Sequence, residues 1–210
     1  MTKIKVCGIT TLEDAKLALA LGADALGFNF YPKSPRYIAP ADAQTIVRML
    51  PKQAWMTGVF VNSSREEVSQ IARMVALDTL QFHGDEDVSF IEGWNEWRVM
   101  KAIRLGSGHT AEHVAELAKV ADYLLVDSYQ PGAPGGTGSE VPEPLLSRIA
   151  SEVDFAKVFL AGGLRPENVE SKIRQFRPFA VDVASGVESA PGKKDASLLE
   201  QFFKAVKAAR

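Results

Sequence analysis

The rhythm of this chain constrains its fold more than any other feature. Short apolar segments rich in Val, Ile, Leu and Phe alternate with helix-length amphipathic stretches along its whole length. Ile4–Cys7 reads as a strand; Thr10 and Thr11 can then cap a helix over Leu12–Leu21 that Gly22 ends. Asp24–Phe30 is the next strand and Pro40–Leu50 the next helix. After a strand over Met56–Val61, Ser64 with Glu67 three residues later has the form of a capping box for a helix reaching Ala76. Thr79–Phe82, Trp97–Ile103, Asp122–Val126, Lys157–Leu160 and Phe179–Val183 continue the strands. Helices are predicted around Asp87–Gly93 and over Thr110–Val120, Glu143–Ala150, Pro166–Gln175 and Ala196–Ala209.

This makes roughly eight strand–helix cycles in 210 residues, about 26 residues each. Such alternation implies parallel pairing through right-handed crossovers, and strands apolar on both faces belong to a sheet covered by helices. Eight units close naturally into a barrel. The predicted class is therefore α/β, a (β/α)8 TIM barrel, with an open doubly wound sheet as the competing arrangement. No linker, low-complexity tract or charge block interrupts the pattern, so a single domain over residues 1–210 is expected.

Composition narrows the function classes. With 24 Lys and Arg against 26 Asp and Glu, no long-range field draws the chain to nucleic acid or an anionic membrane, and the scattered aromatics offer no base-stacking surface. One cysteine excludes an internal disulfide. His83, His109 and His113 are the only histidines; His109 and His113 have helical ligand spacing without a third ligand nearby, so no metal is expected. The first ten residues hold no apolar run of signal-peptide length, and no stretch nears the roughly 20 apolar residues of a membrane span. These features lead to the expectation of a cytoplasmic protein, monomeric by default with a homodimer possible, whose partner is a small molecule.

In a barrel of this kind the active site lies where strands end and loops begin. Polar residues and glycines gather at those positions: Cys7-Gly8, Asn29 with Arg36 beyond it, Asn62, His83-Gly84, Arg104, Asp127, Gly162-Gly163 and Ser185-Gly186. The pair Gly162-Gly163 and Ser185-Gly186, after the seventh and eighth strands, predicts a phosphate site, because glycine lets backbone N–H groups approach an anion closely. Cys7, just before Gly8 and a helix start, is either a buried filler or a thiolate favoured by loop amides and a helix N-terminus. Asp127 is either a cap or a cavity-facing carboxyl that holds its proton to higher pH and serves as a general acid. Arg36 is either a solvated loop side chain or a clamp for a carboxylate. His83 either touches ligand or bonds to nearby backbone. Asp182 either caps loops or accepts from sugar hydroxyls. Gly132, Gly135, Gly136 and Gly138 suit a lid over the site or an ordinary surface loop.

Several segments resemble phosphoribosylanthranilate isomerases. They are Lys5-Val6-Cys7-Gly8-Ile9-Thr10, Gly27-Phe28-Asn29-Phe30, Ser34-Pro35-Arg36-Tyr37-Ile38, Gly58-Val59-Phe60-Val61-Asn62 and Gln81-Phe82-His83-Gly84. Further along come Gly135-Gly136-Thr137-Gly138, Leu160-Ala161-Gly162-Gly163-Leu164, Val181 to Glu188, and Pro191-Gly192-Lys193-Lys194-Asp195. The resemblance implies an Amadori rearrangement of N-(5-phosphoribosyl)anthranilate with no cofactor. It assigns Asp127 as general acid, Cys7 as general base and Arg36 as the holder of the anthranilate carboxylate. By the same resemblance Gly162, Gly163, Ser185 and Gly186 would hold its phosphate; His83 and Asp182 are expected to contact substrate from their own positions at the strand ends. The chain departs from the family at Ser139-Glu140-Val141-Pro142-Glu143, where relatives carry an aromatic, acidic and Trp stretch. The alternatives are another phosphate-binding barrel enzyme or a non-catalytic binder of a phosphorylated metabolite. The first would be an epimerase, or an indole-forming lyase using Lys3, Lys5 or Lys101. A pure binder needs neither Cys7 nor Asp127.

Overall fold

The computed structural model describes residues 1–105, 111–128 and 143–209. Its strands are β1 (Lys3–Cys7), β2 (Ala25–Asn29), β3 (Trp55–Phe60), β4 (Thr79–Phe82), β5 (Arg98–Leu105), β6 (Tyr123–Ser128), β7 (Val158–Leu160) and β8 (Ala180–Val183). These eight pair in parallel, in sequence order, and close on themselves. Lys5 of β1 stands opposite Ala25 on one side and Asp182 on the other, so the barrel has no edge and the open doubly wound arrangement is excluded. The helices are α1 (Leu12–Leu21), α2 (Pro40–Arg48), α3 (Arg65–Val75), α4 (Val88–Ile91), α5 (Ala111–Val120), α6 (Glu143–Glu152), α7 (Val169–Phe176) and α8 (Ala196–Ala208).

Local chemistry sets the ends of these elements. The Thr11 side chain accepts from the Asp14 N–H to start α1, and Gly22 ends it at φ 104°. Ser64 accepts from the Glu67 N–H at 3.2 Å to start α3. Two features depart from the sequence expectation. α7 begins at Val169 rather than Pro166, because the Asn168 side chain accepts from the Arg165 N–H at 2.8 Å and donates to the Gly163 carbonyl at 3.0 Å. Those bonds close a turn that competes with the helix. Between β8 and α8 the chain also forms an antiparallel hairpin, β9 (Glu188–Ala190) and β10 (Lys193–Lys194), turned at Pro191-Gly192 with Gly192 at φ 78°. Strands this short show no alternation; the Pro-Gly pair was the available signal.

The larger core lies between strands and helices. A second cluster fills the barrel itself, with Met100, Leu125, Phe159 and Ala180 packed against Trp55, Tyr123 and Phe179. Tyr123 and Phe179 lie 4.8 Å apart between ring centroids, and Trp55 and Phe159 lie 6.2 Å apart. These residues stand toward the strand starts, so the barrel is an apolar plug with its polar groups at the other end.

Candidate active site

Side chains two apart on a strand share a face, so Lys5 and Cys7 both belong to the inward face of β1. Lys5 Nζ donates to Asp182 Oδ1 at 2.8 Å, with both side chains buried. Burial alone would pull the Lys5 ammonium down, but Asp182 and Cys7 outweigh it and its pKa stands above the ordinary lysine range. Asp182 therefore commits one carboxylate oxygen to the floor of the site.

Cys7 ends β1 and is half-buried. Burial pushes its thiol above the ordinary range; Lys5 and Lys194 oppose this, Asp182 adds to it, and the net shift is upward. The expectation of a thiolate favoured by a nearby helix N-terminus is corrected accordingly. α1 starts only at Leu12, and desolvation outweighs the lysines.

Asp127 stands near the end of β6, opposite Arg104 of β5, and is buried. His83, just after β4, is buried beside it: Nε2 lies 3.3 Å from Asp127 Oδ2. Gln81 Nε2 lies 2.9 Å from His83 Nδ1. The Gln81 amide donates to Nδ1, while Nε2, though close to Asp127, makes no hydrogen bond among the described residues. His83 therefore stands between Gln81, to which it is hydrogen-bonded, and Asp127, which it only approaches. Arg104 pairs with Asp85 at the rim.

Arg36 is not a solvated loop side chain; it is 8% exposed. Its Nε and Nη2 both donate to Glu188 Oε2, at 3.0 and 2.8 Å, and Nε reaches Oε1 at 2.9 Å. The side chain crosses directly over Gly8. At φ 76° Gly8 has a backbone suited to glycine, and a Cβ there would come within 2.6 Å of Arg36 Cδ. Glu188 also accepts from Lys194 Nζ at 2.8 Å, and the same Nζ donates to the Cys7 carbonyl at 2.6 Å. Burial raises the Glu188 carboxyl, yet Arg36 and Lys194 outweigh it and hold the group below the usual glutamate range.

Gly162 (φ 80°) and Gly163 (φ 67°) follow β7, and Ser185 and Gly186 open a 3-10 turn after β8. A Cβ on Gly186 would collide with the Leu164 carbonyl oxygen, so the two turns interlock. The structure thus brings the four predicted phosphate residues to one place. Glu188, Lys194 and Gln81 were not singled out as site residues. The first two sit in the hairpin, and Gln81 lies inside an apolar strand run. Gly132, Gly135, Gly136, Gly138, the Ser139–Pro142 departure and His109 lie outside the described residues. His113 on α5 lies 4.0 Å from Glu116. Among the described residues no three metal-ligating side chains gather.

A closed parallel barrel with an apolar plug and with Cys7, His83 and Asp127 at or just past its strand ends has the architecture of a (β/α)8-barrel enzyme. The family model described as N-(5'phosphoribosyl)anthranilate (PRA) isomerase matches residues 4–205. A curated N-(5'-phosphoribosyl)anthranilate isomerase from Trichlorobacter lovleyi is 44% identical over 217 residues, spanning 100% of both chains. The crystal structure of phosphoribosyl anthranilate isomerase from Thermus thermophilus superposes with a TM-score of 0.89 at 38% identity, covering 100% of each chain. Another phosphoribosyl anthranilate isomerase was crystallised in complex with reduced 1-(o-carboxyphenylamino)-1-deoxyribulose 5-phosphate. It superposes with a TM-score of 0.85 at 39% identity, covering 99% of this chain and 100% of that one. The chain belongs to the N-(5'-phosphoribosyl)anthranilate isomerase family.

Proposed function

We propose that Asp127 and Cys7 are the acid and base with which this chain rearranges N-(5'-phosphoribosyl)anthranilate to 1-(2-carboxyphenylamino)-1-deoxyribulose 5-phosphate. The chain is an isomerase of tryptophan biosynthesis. The observation that carries the assignment is the placement of a thiol and a carboxyl at the ends of β1 and β6, in a chain that matches the family over residues 4–205.

Asp127 gives a proton to the ribose ring oxygen, the C1–O bond breaks, and the nitrogen lone pair forms the Schiff base. The His83 ring stands beside the carboxylate left behind, with Nε2 3.3 Å from Asp127 Oδ2. Cys7, as thiolate, then removes the proton from C2, and the electron pair neutralises the iminium to give an enolamine. Its tautomerisation, with a proton added at C1 and lost from the C2 hydroxyl, yields the ketone. Both steps move protons only, so the chemistry requires no electron carrier. Arg36 holds the anthranilate carboxylate, the turns at Gly162-Gly163 and Ser185-Gly186 hold the phosphate, and Asp182 reaches sugar hydroxyls with its remaining oxygen.

The lyase alternative is disfavoured by its lysines. Lys5 is committed to Asp182, Lys101 donates to Glu86 at 2.8 Å and to the Gly84 carbonyl at 2.7 Å, and Lys3 pairs with Asp24 at 2.9 Å. No helix among the described residues is long and apolar enough to cross a membrane. A cytoplasmic location, a monomer by default with a homodimer as the alternative, and no nucleic-acid partner complete the proposal. The test is the decay of anthranilate fluorescence in freshly generated substrate. Cys7→Ala and Asp127→Asn should each slow turnover by about 100-fold or more; near-full rate in either variant removes that residue's role.

A further inference from the structure

The guanidinium assigned to the substrate carboxylate is already gripped from behind. Glu188 takes Nε and Nη2 of Arg36 at 2.8–3.0 Å, and 152 residues of chain separate the two. Glu188 is itself pinned by Lys194 Nζ at 2.8 Å. The side chains of Arg36, Glu188 and Lys194 are 9%, 3% and 0% exposed, so water competes little for these bonds. The cluster joins the loop after β2, the end of β1 through the Cys7 carbonyl, and the β9–β10 hairpin. Two cations, Arg36 and Lys194, meet on the one Glu188 carboxylate. A planar fork recognises a carboxylate only when its plane is correctly turned. Arg36 runs over Gly8 with no room for a Cβ beneath it, so its orientation is set from the Glu188 side.

We propose that Glu188 is a positioning residue that sets the specificity of the site for a carboxylate-bearing aromatic amine, by fixing the plane of the Arg36 guanidinium. The inference rests on Arg36 as the carboxylate clamp. Lys194 has a linked part: it holds Glu188 in place and ties the hairpin to the backbone of Cys7.

The experiment compares two ligands by equilibrium binding: reduced 1-(o-carboxyphenylamino)-1-deoxyribulose 5-phosphate, and the same molecule with hydrogen in place of the carboxylate. The unaltered chain should prefer the first by about 10- to 100-fold, the scale of one charge-assisted bidentate contact. Arg36→Met should abolish the preference; if the preference persists, Arg36 is not the clamp and the underlying reading falls. Glu188→Gln should reduce the preference to a few-fold while affinity for the decarboxylated ligand stays within about twofold. Equal weakening of both ligands would mean that Glu188 only supports the fold. An undiminished preference in Glu188→Gln, with Arg36→Met abolishing it, would overturn the positioning role alone. The double variant Glu188→Gln/Lys194→Met keeps the net charge of the cluster and leaves no second cation facing Arg36. Its preference should stay low; full recovery would assign the effect to charge rather than orientation.

Discussion

Cys7 is poised between burial, which favours the thiol, and two lysines that favour the thiolate. Because the balance lies on the side of the thiol, kcat/KM should rise with pH above neutrality as the base ionises. Lys5→Met removes the larger of the two opposing cations and leaves Asp182 opposed only by Lys194, so the rise should move to still higher pH. The pH dependence of thiol alkylation, measured on both proteins, checks the shift; coincident profiles would mean that Lys5 does not act on Cys7. The sequence made Cys7 and Asp127 legible because each ends an apolar strand run, where position alone carries meaning. It could not reveal the direction of the Cys7 shift. Desolvation depends on how closely β1, β2 and β8 enclose the sulfur, as when a Cβ on Gly27 would lie 2.7 Å from Cys7 Sγ.

At the scale of elements, local signals were read well where they act alone. Ser64 caps α3 by accepting from the Glu67 N–H, and Ala76 closes the helix in the left-handed conformation at φ 62°. Ser64→Ala should cost about 1 kcal/mol, and the melting temperature should fall by about 2–4 °C for a chain of this size. A thermal melt checks it, and no change would mean water replaces the hydroxyl at no cost. Local signals misled where a side chain offered the backbone a second partner. Pro166 is a good first residue for a helix, but Asn168 diverts the turn, so α7 starts three residues later. The hairpin carrying Glu188 and Lys194 escaped the reading because two or three residues cannot display a period.

For the molecule as a whole, buried ion pairs tie the loops to the barrel. Glu86 accepts from the N–H groups of Asn62 and Gly84, at 2.8 and 3.0 Å, and from Lys101 at 2.8 Å, so it joins the loops after β3 and β4 to β5. Lys101→Met would leave that carboxylate buried without its cation and should cost about 3–5 kcal/mol. Adding Glu86→Gln should recover part of the loss, which denaturant unfolding of the single and double variants would measure. The Glu188 carboxyl titrates below its unfolded value, so its stabilisation is fully present above the ordinary carboxylate range and is lost as pH falls through the lowered folded value. Glu188→Gln should therefore flatten the acid limb of the stability profile; an unchanged limb would place the acid sensitivity elsewhere.

The sequence by itself determined the alternation of strands and helices, the helix caps and the polar residues at strand ends, because each of these depends on neighbours a few positions away. Only the tertiary structure decided that Arg36 would be gripped by Glu188, Lys5 by Asp182 and the Cys7 carbonyl by Lys194, across separations of 152, 177 and 187 residues. Closure of β1 onto β8 brings those partners together, and contacts made by closure leave no trace in local pattern.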